Sequence, residues 1–328
     1  MSPNTSGALL ALLAFGLFSA HDAVVKYLGG TYAPFQIVFF SVLLSFPLAT
    51  ILLMRDRRDG TLIPRHPWWT ALRTLAAVIT GVSAFTAFST LPLAQVYAIL
   101  FATPLFITVL SIPVLGEVVR LRRWAAVIVG LCGVLVVLRP GAQAMELGHL
   151  AALIAAIGAS VAAIVVRKIG REERPIVLML YPMLANVLVM GAVLPFVYVP
   201  LPGIDLAALT LIALFAFCAS LLIIAAYTRA EAVIVAPMQY SQIIWASIYG
   251  ALFFGEALDG QTLLGAGIVI ASGLYILLRE GRAETTSQRP VLQTRSRPET
   301  GTYLRVGPLI QAAEERKTDG EDAGRDPP

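Results

Sequence analysis

Few side chains in this sequence could do chemistry, and most of those lie inside long apolar runs. Asp22 stands about two thirds of the way along the first run, with His21 beside it and Lys26 one helical turn later. A carboxylate alone in hydrocarbon costs several kcal/mol, so Asp22 must be paired or hydrated. Two readings follow: an i to i+4 ion pair with Lys26 near the outer surface, or a proton or cation relay that Lys26 modulates. Asp22 and Lys26 are the coupling candidates.

The run 232–254 is unusually polar for its setting. In Pro237-Met238-Gln239-Tyr240-Ser241-Gln242-Ile243-Ile244-Trp245, helical spacing puts Met238, Gln242, Trp245 and Tyr249 on one stripe, with Gln239 and Ser241 flanking it. Amide, hydroxyl and indole groups beside an aromatic surface suit a planar or heterocyclic ligand. The same groups would also serve as interhelical polar contacts with a Trp and Tyr interface belt. The run 94–115 offers Tyr97, Phe101 and Thr103 at related depth, and Pro104 would kink that helix and free a carbonyl. Tyr181 and Asn186, beside Pro182, and Tyr227 complete the set of binding candidates. Thr80, Gly81, Ser83 and Thr86 form a small hydroxyl-bearing face suited to close packing.

Glu117 and Glu256 each follow a glycine at the end of an apolar run. Shaping the turn between helices is the role expected of them, with Pro104 and Pro237 as further structural markers. No Gly-rich phosphate loop is present, and three histidines scattered at 21, 66 and 149 cannot build a histidine-rich metal centre. Neither a catalytic residue, a metal nor a cofactor is expected. Cys132 and Cys218 lie within apolar runs and read as buried small hydrophobes.

The elements that hold these residues follow from composition. The chain has 58% hydrophobic and 13% charged residues and a mean hydropathy of +0.79. A soluble domain carries roughly 25% charged residues. An all-α membrane protein is expected. Crossing the hydrocarbon takes about 20 apolar residues, and ten such runs fall near 7–28, 33–53, 70–91, 94–115, 124–138, 148–166, 175–199, 206–228, 232–254 and 262–278. The first run continues past His21 without a cleavage signal and reads as a span. After Leu278 the chain turns polar and mixed, so 282–328 is expected to be a disordered cytoplasmic tail.

Basic residues stay on the cytoplasmic side of membrane proteins. With the N-terminus inside, all of the 24 Lys and Arg except Lys26 and Arg139 fall on that side. Ten spans with both termini cytoplasmic in an inner membrane is the expected topology. The net charge of +4 thus serves orientation, and nucleic acid is not an expected partner.

An internal repeat supports the same count. Gly7, Lys26, Pro34 and Phe40 align with Gly148, Arg167, Pro175 and Tyr181 at a shift of 141. Gly116-Glu117 aligns with Gly255-Glu256 at 139, and Gly133 with Gly273 at 140. Each copy holds five spans, an odd number, so the second must enter the bilayer from the opposite side. The expected units are 1–141 and 142–281.

The repeated order of apolar helix, Pro, Gly-Glu and Gly-spaced final helix resembles the EamA domain of the drug/metabolite transporter superfamily over about 1–281. Phe18-Ser19-Ala20-His21-Asp22-Ala23-Val24-Val25-Lys26, and Ala236 through Ala246 running on to Phe253-Phe254-Gly255-Glu256, look like the bacterial branch that includes S-adenosylmethionine-like and riboflavin-like transporters. The resemblance implies ten spans, two inverted repeats and a central cavity. Relatives often carry Arg after the Phe-Phe pair of the second span, where this chain has Ser41 after Phe39-Phe40. If that Arg binds an anionic group, the substrate here is less anionic.

A secondary carrier for a small organic metabolite is the function expected, with a vitamin or cofactor-like compound such as riboflavin or S-adenosylmethionine, or an amino acid, as cargo. The other classes weighed are an intramembrane enzyme, which should show a reactive cluster, and a non-transporting sensor or assembly factor, which should show an extra-membrane domain. The expected partners are the substrate, the lipid bilayer and, as an option left open, a second copy in a homodimer.

Overall fold

The structure, a computed structural model, describes residues 3–55, 61–117, 119, 121–139, 146–170, 172–230, 232–257 and 259–283. The tail expected over 282–328 lies almost wholly outside the described residues. Every regular element among the described residues is helical: α1 (Pro3–Gly29), α2 (Pro34–Arg55), α3 (Pro67–Thr90), α4 (Leu93–Leu100), α5 (Thr103–Leu115), α6 (Leu121–Leu138), α7 (Leu147–Ile169), α8 (Pro175–Val197), α9 (Gly203–Tyr227), α10 (Ala232–Val235), a 3₁₀ segment (Ala236–Ser241), α11 (Gln242–Phe254) and α12 (Gly260–Ala283).

Local residue choice sets several of these ends. Proline stands in the first turn of α3, α5 and α8, where its missing N–H leaves no bond unmade. Gly116 and Gly255 close α5 and α11 with φ of 70° and 64°, a left-handed conformation that only glycine adopts without cost.

Among the described residues, six segments are long and apolar enough to cross a membrane: Thr5–Gly29, Pro67–Thr90, Leu93–Leu115, Leu147–Ile169, Ile176–Val197 and Gly203–Tyr227. Pro34–Leu48, Trp124–Leu138 and Gly260–Ile276 are shorter apolar helices. The chain is a multi-pass membrane protein.

Two expected spans are interrupted. Pro104 does not kink one continuous helix: α4 ends at Leu100 and α5 begins at Thr103, so the proline sits in a first turn. The run 232–254 is split: the short α10 gives way to the 3₁₀ segment that holds Pro237, and α-helix resumes at Gln242. That breaks the proposed stripe. Met238 packs with the apolar cluster of Phe15, Phe18 and Ala219, while Gln242 and Trp245 continue on α11.

The five most extensive helix pairings are α3 with α7, α1 with α9, α6 with α12, α2 with α8, and α5 with α7. Each joins a helix before residue 140 to one after residue 146, so the two parts of the chain interleave rather than sit side by side. In lipid there is no hydrophobic drive between helices, and close approach of small residues takes its place. At the α6–α12 crossing a Cβ on Gly133 would come within 2.9 Å of the Gly265 carbonyl oxygen, so the backbones touch there. Thr80 likewise faces Gly158 across the α3–α7 contact. Cys218 is half-buried, but Cys132 lies on the outside of the bundle, contrary to the expectation of burial. An apolar face of a membrane helix is sheltered by lipid as well as by protein, and the sequence pattern does not separate the two.

Candidate substrate site at the helix interruptions

The interruptions in α4–α5 and in the 3₁₀–α11 segment meet the interior of the bundle. Thr103 opens α5 and Gln242 opens α11, 139 positions apart, the same offset that relates Glu117 to Glu256. Each of their carbonyl oxygens is approached by a buried serine from the other part of the chain. The Ser160 hydroxyl on α7, which donates to the Ala156 carbonyl at 2.6 Å, lies 3.1 Å from the Thr103 carbonyl, and Ser19 on α1 lies 3.4 Å from the Gln242 carbonyl. Ser19 and Ser160 are themselves 141 positions apart, the offset of Lys26 and Arg167. Both serines are fully buried.

Asp22 sits on α1 one turn beyond Ser19, and both it and His21 are wholly buried. The His21 Nδ1 donates to one Asp22 oxygen at 2.7 Å, and the Tyr97 hydroxyl donates to the other. Gln242 Nε2 lies 3.4 Å from the same hydroxyl, as does Ser19 Oγ. The single Tyr97 proton is committed to the carboxylate, so Gln242 must turn its N–H toward Tyr97. Its Oε1 is thereby left buried with no hydrogen-bond partner among the described residues. That atom is the open acceptor of the site.

Aromatic rings enclose the group. Phe88 and Phe101 stand 5.5 and 6.0 Å from the Tyr97 ring, and Tyr240 meets Phe101 edge-on at 5.1 Å. His21 meets Phe85 edge-on at 6.1 Å. Trp245 lies over Gly16 of α1 and stacks on Tyr249 at 6.2 Å. The setting combines a buried acid, an imidazole, a phenol, an amide and a wall of rings, which can hold a flat ligand and pass a proton between Asp22 and His21.

The structure brings together Asp22, Tyr97, Phe101 and Gln242, with Trp245 and Tyr249 further along α11, while Thr103 donates its hydroxyl to the Leu100 carbonyl at 2.7 Å. Gln239 is half-buried on the 3₁₀ segment. Tyr181 and Asn186 lie on α8, where Asn186 donates to the Pro182 carbonyl at 2.9 Å. Tyr227 ends α9 in the apolar cluster with Ala11 and Phe15. Lys26 pairs with Glu256 at 2.8 Å, a long-range partner that neither of the two readings of Asp22 and Lys26 includes. Sequence reading missed Ser19, Ser160 and Phe88. The 141-residue offset of the two serines was the available signal.

Beyond Lys26 a cavity of about 450 Å³ opens between the α3–α4 turn and the ends of α6 and α11. Gln95, Arg139, Glu146, His149, Ser247 and Glu256 line it. Arg139, the single non-glycine residue with positive φ among those described, is held there by an ion pair with Asp259.

The model of the EamA-like transporter family matches this sequence twice, over residues 5–139 and 146–278. The chain belongs to the EamA-like transporter family. The EamA-like chain is 26% identical over 273 residues to an S-adenosylmethionine uptake transporter of Rickettsia felis, covering 83% of this chain and 92% of that one. A riboflavin transporter of Rhizobium johnstonii is 27% identical over 286 residues, covering 85% and 93%. A pseudopaline exporter of Pseudomonas aeruginosa is 26% identical over 274 residues, covering 81% and 94%. A solved crystal structure, 18% identical, covers 82% of this chain and 96% of its own with a TM-score of 0.54, a likeness of fold alone.

Proposed function

We propose that this EamA-like protein is a secondary carrier of a small organic metabolite, working by alternating access around the Asp22, Tyr97 and Gln242 group. In this reading the chain spans an inner membrane ten times, with both termini cytoplasmic. Its units, 1–141 and 142–281, cross in opposite senses. The observation that carries it is the pair of serine-to-carbonyl contacts at the two helix interruptions, each made from one part of the chain to the other. Interrupted helices facing each other at the junction of two inverted repeats are the architecture of a midplane binding site.

Aromatic area with few polar groups favours a flat or heterocyclic cargo, such as a vitamin or cofactor-like compound or an aromatic amino acid. Uptake and export both occur among the named relatives, so those names leave the direction open. Asp22, with His21 at its side, is the proposed coupling group, and Gln242, Trp245 and Tyr249 the proposed ligand contacts.

Reconstitution into liposomes with labelled riboflavin, S-adenosylmethionine and aromatic amino acids, with and without a pH gradient, tests the reading. Saturable uptake of one of them, stimulated by the gradient, is expected. Absence of uptake of all three classes in correctly inserted protein would count against it.

A further inference from the structure

We infer that the ion pairs Lys26–Glu256 and Arg167–Glu117 are reciprocal gates, one at each end of the transport path. The inference rests on the carrier reading above.

The two pairs repeat each other. Lys26 near the end of α1 meets Glu256 after α11 at 2.8 Å, and Arg167 near the end of α7 meets Glu117 after α5 at 2.7 Å. The bases are 141 positions apart and the acids 139. Each pair joins a base in one half to an acid in the other. Both acids are presented by the same device: a left-handed glycine ends the helix, and the next N–H reaches back to a carbonyl six residues earlier. Glu117 bonds Ser111 at 3.3 Å and Glu256 bonds Gly250 at 3.0 Å. Side-chain exposures of 13% and 16% in one pair, and 8% and 20% in the other, place both where solvent weakens an ion pair only in part.

The Lys26–Glu256 pair is also tied to a further element at its own end. Lys26 also donates to the Leu91 carbonyl at 2.5 Å, and Glu256 accepts from the Leu93 N–H at 3.0 Å, so this pair clamps the start of α4 beside the 450 Å³ cavity. At the other end Lys168, the neighbour of Arg167, donates to the Val114 carbonyl at 2.8 Å. The buried group around Asp22 lies seven residues or fewer along α1 from Lys26. Halves that rock about that centre must part at one end while they stay closed at the other. A base and an acid held on opposite halves at each end are what such a motion breaks and remakes. Both pairs are formed in this structure, as in a state closed at both ends.

The test uses full-length protein with Cys132→Ser and Cys218→Ala, carrying Ser19→Cys as a central reporter, in vesicles of known orientation. A membrane-impermeant methanethiosulfonate is applied to one face at a time. Glu256→Gln should speed labelling from the outer face about tenfold and slow it from the inner face, and Glu117→Gln should do the reverse. The swap of Lys26→Glu with Glu256→Lys should return both rates toward the parent, which separates a gate from a folding defect. Equal changes at both faces, or none, would overturn the gates while leaving the carrier reading intact if the parent is labelled slowly from each side. Labelling of every variant from one face only would overturn the carrier reading itself.

Discussion

Removing one oxygen from the middle of the bundle, by Tyr97→Phe, separates the hydrogen-bond network from the packing around it. The ring is 1% exposed and keeps its contacts with Phe88 and Phe101 in the variant. What is lost is the hydroxyl that donates to Asp22 and lies 3.4 Å from Gln242 Nε2. A hydrogen bond to a charged group contributes roughly 1.5–3 kcal/mol, and a long neutral one nearer to about 0.5 kcal/mol. Inside a membrane the unfolded chain finds other partners, so measured couplings average about 0.6 and reach about 1.7 kcal/mol. The Tyr97–Asp22 coupling is therefore expected at roughly 1–1.7 kcal/mol and the Tyr97–Gln242 coupling at roughly 0.3–0.6 kcal/mol. Unfolding by SDS in mixed micelles gives both from double-mutant cycles of Tyr97→Phe with Asp22→Ala and with Gln242→Leu. Finding the Tyr97–Asp22 coupling no larger than the Tyr97–Gln242 one would refute the assignment of the Tyr97 proton to the carboxylate. The open acceptor at Gln242 would then fall with it.

Four further outcomes follow from the same geometry. Asp22→Asn is expected to abolish any dependence of uptake on a pH gradient, and a variant with unchanged pH response would remove Asp22 from coupling. Trp245→Ala and Gln242→Ala should each weaken substrate binding by roughly 1–3 kcal/mol in equilibrium binding; wild-type affinity in both would send the ligand elsewhere. Gly265→Ala should lower the melting temperature, since its Cβ would press on Val137 and the Gly133 backbone. Gly267→Ala, which meets nothing within 4 Å, should leave it level or higher, and equal effects would contradict the α6–α12 contact. Outside the membrane spans, Tyr32 donates to the Asp205 carboxylate at 2.5 Å, which with burial pushes its pKa from 10.0 up to about 12. The raised value means the folded state favours the neutral phenol, so this contribution to stability is complete below pH 10 and lost as pH climbs to about 12. Asp205→Asn should bring the Tyr32 phenolate titration, read as the absorbance difference from Tyr32→Phe, back toward 10.0, and no movement would exclude Asp205 as the cause.

Much of the fold was legible because the bilayer imposes a coarse rule. Apolar runs of span length and the placement of Lys and Arg are readable without tertiary information. Packing of side chains was less legible. The i to i+4 spacing of Asp22 and Lys26 is a local signal, yet Lys26 meets Glu256 because α11 ends beside it, a fact of topology. The α-helical stripe failed at Met238 because proline and the 3₁₀ turn shift the register by a fraction of a turn. Tyr97 and Gln242 were both named as binding candidates, but nothing local in either segment says that they meet across 145 residues. The repeat offsets held more than was drawn from them. Ser19 and Ser160 carry the 141-residue offset, and each marks where one part of the chain touches the interrupted helix of the other.

The proposed opposite crossing of the two halves underlies the carrier reading and the gates alike, and it can be measured at a matched pair of sites. Leu121 opens α6 and Gln261 lies in the first turn of α12, 140 positions apart and both exposed. With the two native cysteines replaced, single cysteines at these positions are treated with an impermeant maleimide on intact cells and after permeabilisation. Labelling of Gln261→Cys on intact cells, and of Leu121→Cys only once the membrane is opened, is the expected result. Labelling of both positions from the same face would contradict it.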